Sequence, residues 1–149
     1  QDFTPGTLIE KLKEEMRFLR DGLGLRVVLE NSPEELALPS EIEQEIYYVL
    51  REGLRNIARH SHASSTEISL KREDGEIRAS LRDDGVGFNI NSARHEDGFG
   101  LVTMEERIKR LGGELSIETA PGKGTRIFFR APLSGGAVAA QHRLGSPVG

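Results

Sequence analysis

Residues 65–83 constrain the fold of this chain more than any other stretch. "STEISLKRE" (65–73) alternates outward and inward side chains, "DG" follows at 74–75, and "EIRASLRD" (76–83) alternates again. Alternation is the strand period, and Asp-Gly between two alternating runs is a strong signal for a two-residue hairpin turn. A second ribbon is spelled out by "ELSIETA", "PGKG" and "TRIFFRAP" near residues 114–132. The chain is therefore built around antiparallel pairs.

Three helices are expected between and before these ribbons. "TPGTLIEKLKEEMRFLRDG" repeats Leu8, Leu12, Met16 and Leu19 at helical spacing, with Gly22 as a stop signal. "LRVVLE" (25–30) reads as a strand and "NSPEELALP" as a loop. Ser40 is then predicted to cap a long helix, with Glu43 completing an S-x-x-E capping box. That helix is expected to run to about His60, on a stripe of Ile42, Ile46, Val49, Leu50, Leu54 and Ile57. Residues 84–98 are rich in Gly, Asn and Ser and read as a loop, long enough to be functional or mobile. "FGLVTMEERIKRLGG" reads as a helix ending at Gly112-Gly113, and the tail 134–149 as disordered. The order predicts an α/β two-layer sandwich, with helices on one face of a mixed, mostly antiparallel sheet.

Composition narrows the function classes. The absence of cysteine among 149 residues removes disulfides, zinc–cysteine sites and thiol catalysis. A net charge of −4 without a long cationic run argues against a nucleic-acid footprint or an anionic-membrane one. No apolar run approaches the roughly 18 residues of a spanning helix, and no signal peptide is visible. This composition is compatible with the cytoplasm, the expected location. No P-loop, no G-x-G-x-x-G and no G-x-S-x-G occurs, and "PGKGT" reads as a hairpin turn.

Three short stretches could carry chemistry. In "REGLRNIARH", Glu52 and Asn56 lie one helical turn apart, with Arg59 and His60 near the same side. A carboxylate and a carboxamide there are either a solvated face or hard oxygen ligands that suit Mg²⁺. "DDGVGF" ends a strand with Asp83 or Asp84 and continues through Gly85, Gly87 and Phe88, as a plain turn or as a ligand loop. In "DGFGL", Gly98 and Gly100 open a helix at about Leu101, either as a flexible entry or as a cradle for anionic groups. His62, His95 and His142 carry no such pattern.

Taken together and in this order, "REGLRNIARHSHAS", "RDDGVGF" and "DGFGLVTMEERIKRLGGELSIETAPGKGTRIFFRAPL" resemble the ATP-binding domain of histidine kinases. The likeness is greatest to the subfamily that pairs with NarL/LuxR-type response regulators, within the GHKL (Bergerat-fold) superfamily that includes gyrase and MutL. It covers roughly residues 23–133. Residues 1–22 are expected to be the end of an upstream dimerising helical region, or a linker from it.

The resemblance implies ATP and Mg²⁺ as ligands. It implies Asn56 on the metal, Glu52 near the metal and its waters, and Arg59 and His60 toward the phosphates. It gives Asp83 the exocyclic amine of adenine, with Gly85, Gly87 and Phe88 close to the base. Gly98, Gly100 and Leu101 would frame the triphosphate, and Thr125 would support the base through Asp83 and a water. Residues 88–97 would form a short lid. Arg51 and Asp97 depart from the subfamily's usual Gln and His at those positions. The implied partners are a phosphoacceptor-histidine helical domain of the same dimeric protein and a response regulator. No histidine occurs in residues 1–22, so the phosphoacceptor is expected outside this chain. The other readings are a nucleotide-gated interaction module and a serine kinase of the anti-sigma-factor type.

Overall fold

The computed structural model describes residues 4, 6–94 and 100–133, which form five strands and four helices in one sheet-and-helix layer pair. The elements are α1 (Thr7–Leu23), β1 (Arg26–Ser32), α2 (Ser40–Asn56), a π-helical turn (Ile57–Ser61), β2 (Ser65–Glu73), β3 (Glu76–Asp83), α3 (Ile90–Arg94), α4 (Leu101–Arg110), β4 (Glu114–Thr119) and β5 (Thr125–Pro132). The sheet order is β1-β2-β3-β5-β4. Only the β1–β2 pair is parallel; the other three are antiparallel. This is the mixed two-layer α/β sandwich expected from the sequence.

The alternation read from residues 65–83 sorts the two faces. Ile68, Leu70, Ile77, Ala79, Leu81, Ile127, Phe129 and Ala131 point to the helices and are buried. Their strand neighbours Glu67, Lys71, Arg78, Arg82, Arg126 and Arg130 lie on the other face, where Glu76 bridges Arg78 and Arg130. The Asp-Gly turn has both residues at positive φ, 54° and 74°, as a hairpin that follows the strand twist requires. One core cluster joins Leu8, Leu12 and Leu19 of α1 to Ile46, Leu50 and Leu54 of α2 and to the strands. The opening helix thus buries its stripe in the common core.

Four boundaries differ from the sequence expectation. First, α1 runs one residue past Gly22, and Gly24 ends it in the left-handed conformation, its N–H bonding Arg20 O. Second, the capping box at Ser40 does not form. Pro39 precedes α2 and no side chain caps it. Glu43 is buried and turned to α1 instead, where its carboxylate accepts the Gly6 and Leu8 N–H groups at 3.0 and 3.1 Å. Those are orphan donors of the first turn of α1, so the acid caps a neighbouring helix rather than its own. Third, α2 gives way at Asn56 to a π-helical turn rather than continuing to His60. Fourth, the long loop contains α3, pinned to α4 by a two-bonded Arg94–Glu105 pair at 2.8 and 2.6 Å. The expectation for the tail falls on residues 134–149, outside the described residues.

Candidate functional site

The covered face of the sheet is apolar except at one end. There the register sets Thr66 opposite Asp83, Asp83 opposite Thr125, and Thr125 opposite Thr119. A single cross-strand row of four polar residues therefore crosses β2, β3, β5 and β4. Thr66, Asp83 and Thr125 are buried. Above this row the last turn of α2 and the π-turn close a narrow cleft. Gly53, Asn56, Ile57, His60, Asp83, Phe88, Leu101, Thr125 and Ile127 line it. Its chemistry is a mostly apolar slot with a few polar groups at one end, the usual character of a small-molecule site.

Asp83 is the chemical centre of the slot. One carboxylate oxygen, Oδ1, accepts the Gly85 N–H at 2.6 Å. The other, Oδ2, is buried with no hydrogen-bond partner among the described residues. Burial raises the Asp83 pKa above its ordinary value and the Asp84 charge raises it further, while the Gly85 N–H and, more weakly, the Thr125 N–H offset this in part. A buried acceptor without a donor is costly, and such an atom calls for a ligand donor. Asp84 is the opposite case. It is exposed and accepts Ser65 N–H, Ser64 Oγ–H and Ser64 N–H at 3.1, 2.9 and 2.9 Å. These bonds hold its pKa below the ordinary value and tie the end of β3 to the start of β2. Of the two carboxylates, Asp83 lines the cleft and Asp84 does not.

The other expected residues fall into three groups. Asn56, His60, Phe88, Leu101 and Thr125 line the same cleft as Asp83. Arg59, Glu52 and the glycines border it. Arg59 Nη2 donates to Asn56 Oδ1 at 3.2 Å. A Cβ on Gly100 would sit 3.3 Å from Glu52 Oε1, which puts that carboxylate beside the start of α4. Gly85 supplies the N–H to Asp83, and Gly87 lies against the β4–β5 turn, where any Cβ would strike the Ala120 carbonyl. Gly98, also expected here, lies outside the described residues.

Four residues at the site carried no assigned role from sequence. A Cβ on Gly53 would strike Leu81 Cδ2, so glycine there lets α2 approach β3 without displacing that side chain. A mid-helix glycine costs about 1 kcal/mol relative to alanine, which was the available signal. Gly124, at φ 74°, lets the β4–β5 turn press on the Asp83 backbone. Thr66 and Thr119 are the two ends of the row, and Thr66 Oγ1 is buried with no partner among the described residues.

Candidate ligands can be judged against these donors and acceptors. The unpaired Oδ2 beside an apolar slot fits a flat ring that carries an amine. A carboxamide and a carboxylate one turn apart fit a hard cation that keeps most of its shell as water and phosphate oxygens. No cluster of three or more His, Cys, Asp or Glu that could hold a metal occurs among the described residues. No helix among them is long and apolar enough to cross a membrane.

Comparison with known proteins gives the same direction. Residues 41–135 match a family model described as histidine kinase-, DNA gyrase B-, and HSP90-like ATPase. The chain is 28% identical over 127 residues to the signal transduction histidine-protein kinase/phosphatase DegS of Brevibacillus brevis, covering 85% of this chain and 33% of that protein. It is 30% identical over 128 residues to the sensor protein VraS of Staphylococcus aureus (strain COL), covering 86% of this chain and 36% of that protein. This chain thus spans about a third of the length of these curated relatives. Among solved structures, the histidine kinase domain of the Erythrobacter litoralis EL346 blue-light activated histidine kinase superposes with a TM-score of 0.70 at 20% identity. That match covers 90% of this chain and 64% of the other, and it supports the fold.

Proposed function

Because the chain belongs to the family of histidine kinase-, DNA gyrase B- and HSP90-like ATPases, we propose that it is the ATP-binding catalytic domain of a cytoplasmic sensor histidine kinase of the NarL/LuxR-associated type. The observation that carries this reading is the cleft-facing, unpaired Oδ2 of buried Asp83. Adenine presents an exocyclic amine where guanine presents a carbonyl, so a carboxylate acceptor there selects adenine. Phe88, Ile57 and Ile127 supply the apolar walls for the ring. Arg59 and His60 lie on the π-turn beside the cleft, where a guanidinium and an imidazole would meet phosphate oxygens. Gly100 and Leu101 lie at the start of α4, where backbone N–H groups suit the same anion.

Mg²⁺ would be held by the Asn56 carboxamide oxygen, which accepts from Arg59 Nη2 in this structure and would exchange that donor for the cation, with Glu52 ordering its waters. Bound Mg-ATP would supply the γ-phosphoryl group. Transfer of that group runs through a loose transition state, so the protein's work is to position the donor and neutralise its charge. The accepting histidine would come from a helical domain of the same dimeric protein, with later relay to a response regulator.

The test uses the chain with γ-labelled ATP. Alone it should bind Mg-ATP and remain unlabelled. Added to a separately made helical domain bearing the acceptor histidine, it should label that histidine, and Asn56→Ala should abolish the labelling. Self-labelling of this chain on His60 or His95 would overturn the reading.

A further inference from the structure

We infer that Thr119 is a specificity-determining positioning residue, which fixes the hydroxyl of Thr125 as a hydrogen-bond acceptor toward the cleft. The inference rests on the nucleotide reading above and concerns a residue that does not line the slot. Thr119 Oγ1 lies 3.0 Å from Phe88 N, 2.8 Å from Thr125 Oγ1, 3.2 Å from Gly124 O and 3.5 Å from Phe88 O. A hydroxyl has one proton to give and two lone pairs to fill. The Phe88 N–H can only donate, so it takes one lone pair. Both carbonyls can only accept, whereas the Thr125 hydroxyl can do either and has no other acceptor within reach among the described residues. The assignment that satisfies both hydroxyl protons therefore gives that of Thr119 to a carbonyl, of which Gly124 O is the nearer. One lone pair then remains, and the Thr125 hydroxyl is the donor that fills it.

The consequence falls on the cleft. Thr125 spends its proton on Thr119 and turns only lone pairs inward, beside the unpaired Asp83 Oδ2. The polar end of the slot is then built of acceptors. Such an end welcomes an amine and rejects a carbonyl at the same place on a purine. Thr119 also joins the loop after β3, through Phe88, to the β4–β5 turn, through Gly124. The Gly122 N–H to Val86 O bond closes the same clasp from the other side. Without the Thr119 hydroxyl, the Thr125 proton becomes free to swing toward the ligand, and a 6-oxo purine gains a donor.

The experiment measures binding of ATP and ITP, which differ in that amine and carbonyl, to the wild-type chain, Thr119→Val and Thr119→Ser. It is run well below the melting temperature of each. Thr119→Val keeps the volume and removes the hydroxyl. It should weaken ATP about fivefold to tenfold, the loss of one to two net hydrogen bonds, while ITP weakens less or improves. Thr119→Ser should restore both the ATP affinity and the preference. An unchanged ATP:ITP ratio in Thr119→Val overturns the inference, because a residue that only holds the fold would weaken both nucleotides equally. A wild-type chain that binds neither nucleotide overturns the functional reading itself, and the inference with it.

Discussion

At the scale of single residues, Asp83 and Asp84 show how neighbouring identical side chains acquire opposite roles. Burial raises the Asp83 pKa, whereas hydrogen bonds from Ser65 and Ser64 lower that of Asp84. The signs for stability follow from proton binding. Between the ordinary carboxylate value and its native value, Asp83 holds a proton that the unfolded chain has released, so stability falls as pH rises through that interval. Asp84 stays ionised in the native state where the unfolded chain would be protonated. Its contribution is present above the ordinary aspartate value of about 3.9 and is lost as pH drops through its lower native value. Urea unfolding of the nucleotide-free protein at pH 7 should therefore find Asp83→Asn no less stable than wild type, and Asp84→Ala less stable. A destabilised Asp83→Asn would mean that its carboxylate holds the fold rather than the ligand. The residue pattern alone offered both acids, and the family resemblance named Asp83. Their difference lies in the sheet register, where Asp83 faces the helices, and in the reach of Ser64, twenty residues away from Asp84.

At the scale of elements, helix termini were the least legible part of the chain. The hairpin turn at Asp74-Gly75 and the Gly112-Gly113 stop are local signals read by local geometry, and both formed as expected. The Ser40–Glu43 capping box is equally local, yet a long-range contact displaced it. Glu43 finds two unpaired N–H groups at the start of α1, thirty-five and thirty-seven residues away in sequence. A buried carboxylate gains more from those than from its own helix start, and nothing in the spacing could show it. The π-turn after Asn56 is likewise invisible to helical periodicity. Glu43→Ala should remove both bonds and leave the α1 donors unpaired, for a loss of about 2–4 kcal/mol in urea unfolding. Ser40→Ala should cost within about 0.5 kcal/mol, as at an ordinary surface site. Equal losses would restore the capping box to Ser40.

At the scale of the whole molecule, the cleft is assembled where four elements end: α2 at Asn56, β3 at Asp83, β4 at Thr119 and β5 beginning at Thr125. The sheet and its apolar face were readable from alternation, Glu52, Asn56 and Asp83 were candidates from short motifs, and Thr125 was named by the family resemblance. Gly53, Thr66, Thr119 and Gly124 were not assigned, because their roles depend on which strands become neighbours and how closely α2 approaches the sheet. The central claim is that this end of the molecule reads an adenine nucleotide through Asp83. Calorimetric titration of Mg-ATP into the wild-type chain, Asp83→Asn and Asp84→Asn tests it most directly. The account predicts binding by wild type, a loss of about tenfold or more in Asp83→Asn, and a change within about threefold in Asp84→Asn. Equal losses in the two variants, or ATP binding that survives Asp83→Asn unchanged, would contradict it.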